Sequence, residues 1–139
     1  MKTIVILAWL LPMVVMGCPL GETQAFHCVT IKGKPVQICQ AKDTVNYRFG
    51  GRPDLEIKVP NGQLKWRTGN GSGAFFNELT FPKGNTLYQV LYTESFKGPP
   101  HRDAEIQVYR EGTQLADVQC SGGSASFNPS VLKAKISNY

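Results

Sequence analysis

Downstream of residue 25 the chain alternates apolar and polar residues in short runs, and no stretch keeps a helical period long enough to predict a helix. Nine segments carry the alternation: AFHCVTI, VQICQA, TVNYRFG, LEIKV, QLKWRT, AFFNELTF, LYQVLYTES, AEIQVYRE and TQLADVQC. Val45, Tyr47 and Phe49 share one face against Asn46 and Arg48, and Leu55, Ile57 and Val59 oppose Glu56 and Lys58. Such spacing predicts antiparallel strands with one face on a core and one in water. Gly50-Gly51-Arg52-Pro53, Pro60-Asn61-Gly62, Pro82-Lys83-Gly84-Asn85 and Glu111-Gly112 supply turns at close intervals. Strands of this number must hide their edges, so the expected fold is all-β: a small antiparallel barrel of about eight strands, or a tight sandwich.

The expected organisation is one antiparallel β domain over residues 26–120, followed by a Ser/Gly-rich linker and tail over 121–139. Within that tail, Val131 to Ile136 reads as a short helix or a fraying end. Phe96 to Asp103, FKGPPHRD, is polar and proline-rich and reads as a surface loop.

Residues 1–25 change the picture of compartment. Lys2 followed by the apolar run Ile4 to Met16 has the form of a signal peptide. Two cuts compete: one after Ala25, leaving Phe26 first, and one after Gly17, where Val15-Met16-Gly17-Cys18 resembles a bacterial lipobox and Cys18 would carry lipid. Both readings put the domain in the periplasm or outside the cell, and the second anchors it to a membrane.

Both readings also take Cys18 out of disulfide pairing and leave Cys28, Cys39 and Cys120, enough for one bridge. A two-residue turn at Gly33-Lys34 would set Cys28 opposite Cys39 across a hairpin. A bridge from Cys28 or Cys39 to Cys120 closes a far longer loop and constrains the unfolded chain more, so the long bridge is favoured. The formal net charge of +5 points to an anionic partner, an acidic protein or an envelope polymer, in preference to nucleic acid.

Candidate chemistry is sparse. GNGSGA matches the letters of a dinucleotide fingerprint but lies between two strand-like segments without a following helix. Asn70-Gly71-Ser72 is a glycosylation sequon by letters alone. His27 and His101 are the two histidines, and pairing Cys39 with His101 as nucleophile and base is the one enzymatic arrangement worth naming, as a small hydrolase. Asp54 and Glu56 on one strand face read as solvated surface. No metal set or cofactor motif is present in the sequence, and the preferred reading is non-catalytic. Lys58, Lys65 and Arg67 form an expected basic sheet face that would suit an anionic glycan or lipid. The aromatic residues Phe75, Phe76, Phe81, Tyr88, Tyr92 and Tyr109 read as core and cross-strand partners.

The order FHC…KPVQI, then SGAFF, a Lys-Gly pair, and AEIQVYREGTQLADVQC resembles the layout of the C-type lysozyme inhibitors of bacterial envelopes, the MliC/PliC group. The resemblance implies an eight-stranded barrel, often lipid-anchored, with a disulfide between first and last strands, here Cys28 to Cys120. It implies a loop that enters the cleft of a cell-wall hydrolase, with an inhibitor or immunity role. Ser72 and Gly73 match the family's Ser-Gly, Phe76 stands where the family has tyrosine, and Lys97, or else Lys83, stands for the assisting lysine.

Overall fold

The structure, a computed structural model, describes residues 17–97 and 101–137. Every alternating segment forms a strand: β1 (Thr23–Val29), β2 (Pro35–Gln40), β3 (Thr44–Phe49), β4 (Leu55–Pro60), β5 (Lys65–Gly71), β6 (Ala74–Lys83), β7 (Thr86–Ser95), β8 (His101–Arg110) and β9 (Thr113–Gln119), with a two-residue β10 (Ser126–Phe127) beyond them. The chain is all-β, and its strands make two antiparallel sheets of five, in the orders β10-β1-β2-β3-β4 and β5-β6-β7-β8-β9.

The expectation of a barrel is corrected by this pairing. Strands β4 and β5 are separated by a 3-10 turn at Asn61–Gln63 and lie in different sheets. Among the described residues the sheets meet in one isolated bridge, Thr30 with Cys120. Closure would need a ladder on both sides, and among the described residues only this corner supplies pairing.

The sheets enclose one core. Phe26 of β1 sits edge-on to Tyr92 of β7 at 6.4 Å, Cys28 is bonded to Cys120, and Cys120 N–H donates to Ala104 O, the residue opposite Tyr92. Strand β1 therefore runs across β7 and β8 to the end of β9, and the two sheets cross. Tyr47 stacks on Phe81 at 5.3 Å, with Ile38, Leu79 and Ile106 buried around them. Each such side chain stabilises the fold by about 1.5–3 kcal/mol.

The first sheet departs from simple alternation at β2 and β3, where both faces are covered. Asn46 and Arg48, expected in water, are buried, and the cover is the segment 17–22. Glu22 Oε1 accepts from Asn46 Nδ2 at 2.7 Å and from Arg48 Nη1 at 3.0 Å. Its Oε2 accepts from Arg48 Nη2 at 3.0 Å, and Glu56 Oε2 accepts from Arg48 Nε at 2.6 Å. Burial alone would raise the Glu22 carboxyl, but hydrogen bonds from Arg48 and Asn46 and the charges of Arg48 and Lys58 outweigh it and hold the group below its ordinary range. Burial works against the Arg48 cation, and the two carboxylates reverse that and raise it.

Cys18 fastens the same strap by a disulfide to Cys39. This corrects the reading that removed Cys18 from pairing: its sulfur is bonded to Cys39, so it is not available to form a lipid thioether in this state. The expected boundary after Ala25 falls inside β1, where Thr23 pairs with Gln40 and Gln24 with Cys39. The leader residues 1–16 lie outside the described residues. Cys28 stands opposite Val36, not Cys39, because the β1–β2 connection spans Thr30 to Lys34, closed by Thr30 N–H to Lys34 O at 2.8 Å.

Residues 121–137, expected as linker and tail, are built into the domain. Phe127 pairs with Phe26, Pro129–Val131 makes a 3-10 turn in place of a helix over 131–136, and Leu132 and Ala134 are buried. Ser137 N–H donates to Trp66 O at 2.7 Å, which covers part of the β5 edge. The expected loop 96–103 is shorter than the sequence suggests, since His101–Asp103 belong to β8; residues 98–100 lie outside the described residues.

Candidate functional site

Strands β5 and β6 are joined through Ser72 and Gly73, flanked by the Gly71–Ala74 pair. Both turn residues have positive φ, 52° and 77°, the requirement of a type I′ hairpin turn, whose twist matches the strands it joins. TGNGSGAFFNE is thus a hairpin tip, with strand on both sides and no phosphate-binding helix. Asn70 of the sequon is exposed on β5 opposite Phe75.

A second segment braces this tip. Phe96 N–H donates to Gly73 O at 2.9 Å, and the Lys97 stem crosses Gly73 so closely that a Cβ there would meet Lys97 Cε at 2.7 Å and Cδ at 2.8 Å. The fold therefore brings Ser72, Gly73 and Lys97 together. It does not bring Lys83 to them. Lys83 closes the opposite end of β6 against Thr86, about 30 Å away along an extended strand.

Phe76 turns to the other face of the hairpin and lies over Gly69, where a Cβ would stand 2.5 Å from its ring. Phe75, with the parity of Leu79 and Phe81, overshoots the core and meets Phe96 edge-on at 4.3 Å. Phe75, Phe76 and Phe96 are 49%, 36% and 50% exposed, so Phe75 and Phe76 are not the core partners that the sequence suggested. Phe75 and Phe96 were missed as site residues. Parity marks Phe75 as inward-facing, and only the length of β6 relative to the core shows that it protrudes.

Beneath Phe75 the inner face of the hairpin forms a cleft of about 350 Å³ with Trp66, Tyr92 and Phe127 in its walls. Trp66 Nε1–H donates to Asn77 Oδ1 at 3.0 Å. Glu94 also lines the cleft. It accepts from the Tyr92 hydroxyl at 3.4 Å and has Arg102 Nε at 3.7 Å. Burial, followed by the Glu94 charge, raises the Tyr92 hydroxyl above its ordinary range, with Arg102 opposing.

The other expected sites fare differently. Cys39 is bonded to Cys18, so it offers no thiol nucleophile for His101, and His101 sits at the start of β8 opposite Ser95. Cys120 is bonded to Cys28 and not to Cys39. Lys58 belongs to β4 and the first sheet, whereas Lys65 and Arg67 belong to β5 and the second; Lys58 lies 3.7 Å from Glu56 and Arg67 2.8 Å from Glu78. The three do not form one unpaired basic face. Among the described residues no group of three or more His, Cys, Asp or Glu side chains could hold a metal ion, and no helix is long and apolar enough to cross a membrane. Comparison of the chain with protein-family models, with curated proteins and with solved structures found no match.

Proposed function

We propose that this is an exported, non-catalytic β protein that binds and occludes another protein, a lysozyme-like or other cell-wall hydrolase, or a toxin acting on the envelope. The observation that carries the reading is the braced β5–β6 tip, where a narrow Ser72–Gly73 turn holds the Lys97 stem against it and three half-exposed phenylalanines flank it. A narrow turn can enter a cleft too tight for a bulkier loop. Lys97 can meet a catalytic carboxylate there, and the aromatic flanks supply apolar contact at small entropic cost. Two disulfides fit an oxidising compartment. The resemblance to the C-type lysozyme inhibitors supports this reading through Ser72, Gly73 and Lys97, and the family's barrel is not the architecture found here. Net charge +5 would slow encounter with a basic enzyme and favours an acidic target.

The test is inhibition of, and binding to, a C-type lysozyme and a panel of acidic cell-wall hydrolases. Ser72→Ala with Lys97→Ala should weaken binding to the target by about tenfold or more, while Lys83→Ala leaves it unchanged. Equal binding by the first variant and the unaltered protein would remove the tip from the interface.

A further inference from the structure

The cleft under the hairpin carries a chemistry that the occluding tip does not use. Exposed Phe75 and half-buried Phe127 supply aromatic surface, the largely buried rings of Trp66 and Tyr92 lie behind it, and Glu94 is the carboxylate among its lining residues. The Tyr92 and Phe127 rings lie 5.5 Å apart and the Trp66 and Phe127 rings 6.5 Å apart, so the wall is continuous. Aromatic faces attract a cation through their quadrupoles, and a carboxylate beside them adds direct charge. Glu94 already accepts from Tyr92 and faces Arg102; an incoming cation can take the carboxylate over from Arg102, whereas an anion would be repelled by it.

We propose that this cleft is a receptor for a cationic side chain, an arginine presented by the bound partner protein. A planar guanidinium can stack on an aromatic wall and still donate to Glu94. A cleft of about 350 Å³ has room for an arginine side chain.

Arg102 is the internal competitor. Its Nε is 3.7 Å from Glu94 Oε1, with the two side chains 53% and 38% exposed, a loose surface pair that is worth little. An incoming guanidinium gains the same carboxylate with aromatic walls around it. Lys97 at the tip and Glu94 in the cleft then present opposite charges a short distance apart, and a partner must match both in one orientation.

The site stands on its own geometry; that a protein supplies the cation rests on the occluding reading, so the first test uses a free probe. The full chain is titrated with N-acetyl-arginine amide and, separately, with N-acetyl-norleucine amide, followed by calorimetry and by Trp66 fluorescence, with Trp66→Phe to assign the signal. The arginine probe should bind in the millimolar range and the norleucine probe at least about fivefold more weakly. Glu94→Gln should weaken the arginine probe by about five- to tenfold, and Arg102→Gln should strengthen it by removing the competitor. Equal binding of the two probes, no effect of Glu94→Gln, or weakening by Arg102→Gln would each overturn the assignment. If the free probe binds as stated and Ser72→Ala with Lys97→Ala leaves partner binding intact, the cation site survives and the occluding tip does not.

Discussion

The two disulfides interlock along the chain, in the order 18, 28, 39, 120, and removing them one at a time separates their contributions. Cys28–Cys120 spans 92 residues and Cys18–Cys39 spans 21. Loop-closure entropy assigns about 4.6 kcal/mol to the first and about 3.3 kcal/mol to the second, each taken alone at 25 °C. Because the loops share residues 28 to 39, each bond already shortens the other's loop, so both single removals should cost somewhat less than these values while keeping their order. The perturbation is Cys28→Ala with Cys120→Ala in one protein and Cys18→Ala with Cys39→Ala in another. With a urea slope of about 2 kcal/mol/M, the unfolding midpoint should fall by about 2 M in the first and about 1.5 M in the second. The assay is equilibrium urea unfolding followed by far-UV circular dichroism, with the slope checked for constancy. Equal losses, or a larger loss for the Cys18 variant, would refute a purely entropic ordering and mean that anchoring the strap over Asn46 and Arg48 adds at least about 1.3 kcal/mol in the native state, the gap between the two loop terms.

Two further changes probe segments that the sequence left outside the domain. Glu22→Gln should cost about 1–3 kcal/mol at neutral pH by weakening the hold on Arg48. The folded carboxyl lies below its ordinary range, so its contribution is present above that range and is lost as pH falls through the folded value; the gap between variant and parent should therefore close in acid, and a gap that widens there would contradict the assignment. Ending the chain after Asn128 removes buried Leu132 and Ala134 and the Ser137–Trp66 bonds, and thermal unfolding should show a loss of roughly 3 kcal/mol.

Strand identity was legible because alternation is local. Ile57 and Val59 turn inward and Glu56 and Lys58 outward, as their spacing requires. The pairing of sheets was not legible, since whether β4 and β5 join a ladder depends on how two meanders cross, and no local pattern encodes that. Asn46 and Arg48 looked solvated because the residues that cover them lie in a segment read as leader, and their partner Glu22 is more than twenty residues away in sequence. The same misreading hid the partner of Cys39. At the candidate site, Asn-Gly-Ser-Gly announces a turn by composition. The approach of Phe96 and Lys97 to Gly73 follows only from the register that sets Ala74 opposite Ser95.

That register gives the glycines of TGNGSGAFFNE separate duties. Gly73 takes a positive φ and leaves room for the Lys97 stem, Gly69 lets Phe76 lie flat against β5, and at Gly71 a side chain would meet nothing within 4 Å. Glycine ordinarily loosens a hairpin, because it has the most freedom to lose on folding. Here the loss is offset by restraints from outside the hairpin: the Ala74–Ser95 ladder end, the Phe96 N–H on Gly73 O, and the Phe75–Phe96 ring contact. Ordering a side chain on binding costs about 0.5–1.5 kcal/mol, and at this tip the Phe75 and Phe96 rings already meet and the Lys97 stem already lies on Gly73. A tip held by these contacts before encounter would keep that energy for a complex, which is what the proposed occluding role requires and a passive turn does not.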